Sequence, residues 1–83
     1  MQRPTGRSTS ANPALTDLPE GAAGHVAELS TRDPERLQKL MAFGVLPGMP
    51  IRLIQRRPAF VFQVGQTQVA VDSSIAAEIR VKL

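Results

Sequence analysis

The stretch from Phe60 to Val71 leaves the chain the least choice of fold. Phe60, Phe62 and Val64 alternate with Val61 and Gln63, and Val69 and Val71 alternate with Gln68, Ala70 and Asp72. A period of two turns one apolar face to a core and the other to solvent, which is how half-buried β-strands are built. Gly65-Gln66 stands between the two runs. Glycine accepts the first central position of a II′ turn, so the segment reads as a tight antiparallel hairpin. Asp72-Ser73-Ser74 then offers caps for one helical turn through Ile75, Ala76 and Ala77. Beyond it, Ile79, Val81 and Leu83 alternate with Arg80 and Lys82 in a last strand.

Upstream, Leu15, Leu18, Val26 and Leu29 supply apolar positions, and a turn at Pro19 to Gly21 feeds a strand expected over residues 23–29. Neither parity of that strand is cleanly apolar. Asp33 then fits a helix N-cap and Pro34 the first helical position. Leu37, Leu40 and Met41 follow at i, i+3, i+4 and are read as core-facing, and Glu35 with Lys39 forms one favourable i, i+4 pair. Gly44 suits the left-handed C-terminal position, with Val45 packing back on Leu40 as in a Schellman motif. Leu46-Pro47-Gly48-Met49 reads as a type II turn. A strand over residues 51–57 follows, with Ile54 on an otherwise polar parity, and Pro58 breaks it. Five short strands and one helix, with no helical crossovers late in the chain, favour a small, mainly antiparallel barrel that leaves few open sheet edges.

With 83 residues there is room for one domain. The hydrophobic share of 42% and charged share of 20% place the chain among compact folds. Residues 1–13 differ from the rest, carrying Pro4, Gly6, Ser8, Thr9, Ser10, Asn12 and Pro13 with little to bury, and are expected to form a flexible tail ahead of a domain over 14–83. Arg3 and Arg7 lie in that tail. The formal net charge of +3 therefore becomes +1 over 14–83, and the basic character is largely a property of the tail. Two charges do not anchor a chain to a membrane. No apolar run approaches the roughly 20 residues of a membrane-spanning helix, and the start lacks the apolar stretch of a secretory signal, so a cytoplasmic protein without membrane insertion is expected.

Zero cysteines exclude disulfides, thiolate metal sites, iron–sulfur clusters and a cysteine nucleophile. His25 is the single imidazole, serines sit where turns want caps, and neither phosphate-loop nor dinucleotide glycine fingerprints occur, so no enzyme activity is expected. Specific transition-metal sites recruit several ligands. His25 is the one candidate, with Asp17, Glu20, Glu28 or Asp72 brought near it, which would make a weak divalent-metal site at most; no resident cofactor is expected. Arg32, Arg36, Lys39, Arg52, Arg56 and Arg57 supply positive charge, Arg56-Arg57 as a loop tip, but nucleic-acid binding would want more net charge and aromatic platforms than three phenylalanines give. Leu46, Met49 and Ile54, rimmed by Arg52 and Lys39, remain as an apolar surface for a protein partner. Nothing in these features sets an oligomeric state.

The succession of Leu15, Leu18, Gly21, Gly24 and Val26, then Leu37, Leu40 and Gly44 through Gly48, then Ala76, Ile79 and Val81 resembles the FeoA family of ferrous iron transport accessory proteins. Arg36-Leu37 through Phe43-Gly44-Val45-Leu46-Pro47-Gly48 is the most specific stretch, with Phe43 where that family usually has leucine. Val64-Gly65 through Ala70-Val71 and the run 76–81 are similar to its closing hairpin and final strand. The resemblance implies an SH3-like β-barrel with the helix inserted after the first strand. It also implies a bacterial, non-enzymatic accessory that contacts the FeoB transporter at its cytosolic GTP-hydrolysing region. Related domains end iron-dependent repressors, so the alternative is a metal-responsive module that joins a transcriptional regulator and binds Fe2+ (ferrous iron) or Mn2+ weakly through His25 and nearby carboxylates.

Overall fold

The structure, a computed structural model, describes residues 12–83. The flexible tail expected over 1–13 lies outside the described residues apart from Asn12 and Pro13. A 3-10 turn, Leu15–Asp17, leads to β1 (Ala23–Leu29), α1 (Pro34–Ala42), β2 (Pro50–Gln55), β3 (Phe60–Val64), β4 (Thr67–Val71), α2 (Ser73–Ala76) and β5 (Ile79–Lys82). The strands form one antiparallel sheet in the order β4-β3-β2-β1-β5.

Both ends of α1 follow from side-chain chemistry. The Asp33 carboxylate accepts the Glu35 N–H at 3.0 Å, and Pro34 opens the helix where its missing N–H costs nothing. At the other end the Gly44 N–H donates to the Met41 carbonyl and the Val45 N–H to the Leu40 carbonyl, which is the Schellman pair, with Gly44 at φ +94°. The Met49 N–H then donates to the Leu46 carbonyl with Gly48 at φ +92°, as a type II turn requires. Glu35 and Lys39 do not form the expected pair; both are exposed, where such contacts are worth little, and Arg36–Glu78 is the ion pair found among the described residues.

Inward-facing side chains of all five strands meet in one core, with Phe62, Leu53 and Ile79 fully buried, and Leu15, Leu18, Leu40, Val45 and Ala76 close its ends. No polar side chain is buried among the described residues. Two bulges explain what alternation alone did not. Between Val26 and Glu28 the register of β1 against β5 shifts by one, so Val26 and Leu29 pair with Val81 and Ile79 although they are three apart. Between Leu53 and Gln55 the same happens against β3, which turns Ile54 outward and ends β2 at Gln55, two residues short of the expected Arg57. β4 and β5 do not pair with each other, so the sheet wraps the core as an open, SH3-like barrel.

Candidate docking surface

The apolar surface is centred on the end of α1. Leu37 is half-buried and Leu40 fully buried, but Met41 lies about 100° further round the helix and is 45% exposed. It is therefore a surface residue, not the core residue its spacing suggested: in a helix of nine residues the core takes only a narrow stripe. Phe43, at the C-cap, is 42% exposed, and Leu46 in the following turn is 37% exposed. Lys39, in the last helical turn, is exposed one turn before Phe43. Sequence reasoning named Leu46 and Lys39 and missed Met41 and Phe43. The signal available was that Phe43 is a large apolar residue between the last helical position and a left-handed glycine.

The other members of the expected surface lie elsewhere. Met49 is half-buried against the core, and its Cε would lie 3.1 Å from a Cβ at Gly65, so it packs over the hairpin turn. Arg52 and Ile54 point outward from β2, with the Arg52 guanidinium 3.4 Å from the Gly21 carbonyl. Four residues of strand, about 13 Å, separate Ile54 from the start of β2 at Pro50, where the 46–49 turn enters. A shallow concavity of about 210 Å³ beside Arg52, over Ala23, Gly24, Pro50 and Gln63, falls below the roughly 300 Å³ at which small-molecule pockets begin.

Several charges read as possible binding groups hold the fold together. The Arg36 guanidinium donates to Glu78 at 3.0 Å, a hydrogen bond and charge attraction that raise its pKa further, and Glu78 also accepts the Ser30 N–H at its carbonyl. That junction ties α1, the end of β1 and the start of β5. Arg56 is no free loop tip: its guanidinium donates to the Leu18 carbonyl and lies 5.5 Å from the centre of the Phe60 ring, while its N–H donates to Glu20. Arg57 is exposed, before a cis bond to Pro58. Asp17 accepts the Ala14 N–H, and Asp72 caps α2. The Asp72 carboxylate accepts from the Ser74 hydroxyl and the Ile75 N–H, which lowers its pKa below the usual aspartate value. His25 is exposed with Lys82 and Pro50 as its cross-strand neighbours, and no three His, Cys, Asp or Glu side chains gather among the described residues.

An open SH3-like sheet, a helix inserted after its first strand and exposed apolar side chains at the helix end together define a small SH3-like domain. Residues 14–83 match the family model described as the FeoA domain, and the chain belongs to the FeoA family. No curated protein sequence is a match. Among solved structures, an iron uptake regulatory protein, FeoA, is 24% identical with a TM-score of 0.74 over 84% of this chain and 93% of its own. FeoA of Stenotrophomonas maltophilia in complex with zinc, described as a procaryotic SH3 domain protein, is 23% identical with a TM-score of 0.73, over 83% of this chain and 88% of its own. A manganese-dependent transcriptional repressor in complex with manganese is 25% identical with a TM-score of 0.81, over 99% of this chain but 40% of its own. No helix among the described residues is long and apolar enough to cross a membrane.

Proposed function

We propose that this protein is a non-enzymatic accessory of bacterial ferrous iron uptake, docking in the cytoplasm on the GTP-hydrolysing region of an FeoB-type transporter. Membership of the FeoA family over residues 14–83 carries this reading. The docking surface is the end of α1 and its turn, where Met41, Phe43 and Leu46 are each partly exposed and Lys39 stands one helical turn before Phe43. Exposed apolar side chains concentrated in this way mark interaction sites, and aromatic anchors supply much of the binding energy. Iron is the transporter's cargo here. A metal-responsive module would need ligands around His25; Asp17, Glu20 and Asp72 instead accept hydrogen bonds from Ala14, Arg56 and Ile75, and no three metal-ligating side chains gather among the described residues.

Titration of the labelled full chain with the soluble GTP-hydrolysing domain, with and without guanine nucleotide, tests the reading. Amide shifts are expected over residues 39–46. F43D and L46D are expected to weaken binding at least about tenfold, the scale of a lost hot-spot contact, with unchanged circular dichroism. Affinity should also fall as salt rises if Lys39 contributes, because exposed charges are screened over about 8 Å at physiological ionic strength. Parental affinity in both variants would remove this surface from the proposal.

A further inference from the structure

The two edges of the sheet are treated differently. At the β5 edge the Pro13 carbonyl accepts the Val81 N–H at 2.9 Å and Ala14 bridges Arg80, so that edge is covered. The β4 edge has no partner strand among the described residues. On β3, the Gly65 N–H donates to the Pro50 carbonyl at the start of β2, which fixes the alternation: Val61, Gln63 and Gly65 turn their backbone groups toward β2, and Phe60, Phe62 and Val64 toward β4. Across the hairpin, Thr67, Val69 and Val71 face β3. The N–H and C=O groups of Gln68 and Ala70 therefore point away from the sheet, on two exposed residues.

Proteins blunt such an edge with lysine, proline, a bulge or a covering segment. Among the described residues none of these protects β4. Residues 59–71 contain no charged residue and no proline, and the β3–β4 register runs from Phe60 with Val71 to Val64 with Thr67 without a shift. We propose that β4 is a strand-addition edge and that its occupant is β4 of a second copy of this chain, antiparallel about a twofold axis at Val69. In that register Gln68 faces the second copy's Ala70, and each such pair exchanges two backbone hydrogen bonds. This symmetric register satisfies every outward-facing group of Gln68 and Ala70. Asp72 falls opposite Gln66, so no like charges meet. The two edges left over are both β5 edges, already covered by Pro13 and Ala14, so pairing stops at two copies instead of growing into a fibre. This inference is independent of the docking surface on α1.

A five-residue strand is a small interface, so association is weak and depends on concentration. Sedimentation equilibrium of the full chain from about 10 μM to about 1 mM covers the range in which such contacts dissociate. The weight-average mass should rise from 9.0 kDa toward roughly twice that value. Q68K/A70K, which sets lysine against lysine in both pairs, should hold it at the monomer value, and Q68K/A70E, which sets opposite charges face to face, should restore the rise. Both side chains are exposed, and matching thermal melts confirm that the variants fold. A mass that stays at 9.0 kDa throughout, or a Q68K/A70K variant that associates like the parent, overturns the proposal.

Discussion

A methyl group at position 24 would lie 2.5 Å from the Lys82 carbonyl oxygen and 3.0 Å from Val81 Cγ1. Gly24 therefore lets β1 and β5 approach more closely than any side chain allows, and backbone cannot swing aside as a lysine tip can. G24A is expected to lose about 1–3 kcal/mol, as overpacking does. A thermal melt should fall by about 4–8 °C for each of those kcal/mol. A parental melting temperature would show that the strands have slack there. The sequence placed Gly24 inside an expected strand but not the contact that demands a glycine there, because that contact is made by a residue 58 positions later. The same holds for Arg36 and Arg56. Their charge was plain from residue type, but Glu78 and the Leu18 carbonyl, which claim them, come near only once the sheet is assembled. At the residue scale the sequence told what a side chain is and not whom it meets.

Elements whose limits are set by local chemistry were legible in full. Asp33 and Pro34 start α1, Gly44 ends it, and Gly65 at φ +59° turns the β3–β4 hairpin. β1 and β2 were harder, since an inserted bulge residue reverses parity and makes an alternating pattern look broken. α2 offers a test of such local control. Its Asp72 carboxyl stays charged below the ordinary aspartate range because the Ser74 hydroxyl and the Ile75 N–H hydrogen-bond to the carboxylate. The folded state then binds fewer protons than the unfolded chain as the pH drops, so protonation favours unfolding. The stabilisation is present at neutral pH and is lost as pH falls below about 4. D72N keeps an oxygen acceptor for the same donors but cannot titrate. Urea midpoints measured from pH 7 to pH 2.5 should fall less steeply in D72N than in the parent; parallel curves would mean that Asp72 does not feel the cap.

At the scale of the whole fold, one core, with no buried polar side chain among the described residues, supports a sheet whose neighbouring strands β1 and β5 lie far apart in sequence. The class of fold was legible because the alternating runs were, and the helix inserted after β1 was read in its place. The open side of the barrel was not, because which edges remain unpaired depends on strand order, and order is decided by contacts far apart in sequence. A fold of this size holds about 4–12 kcal/mol in total. Two phenylalanines separate what sustains it from what it displays. Phe62 is fully buried, pairs with Leu53 and Val69 across the sheet, and its removal should cost about 3–5 kcal/mol, a quarter or more of the whole. Phe43 is 42% exposed at the end of α1, and substitutions on such surface stay within about 0.5 kcal/mol. Urea titrations should therefore show a sharply lowered midpoint for F62A at unchanged slope, and a parental midpoint for F43D. If F43D instead lost stability as F62A does, the end of α1 would belong to the core, and a loss of partner binding in that variant would report unfolding. With the expected result, the same variant isolates recognition from stability, which is what makes position 43 the place to ask whether this fold works by contact alone.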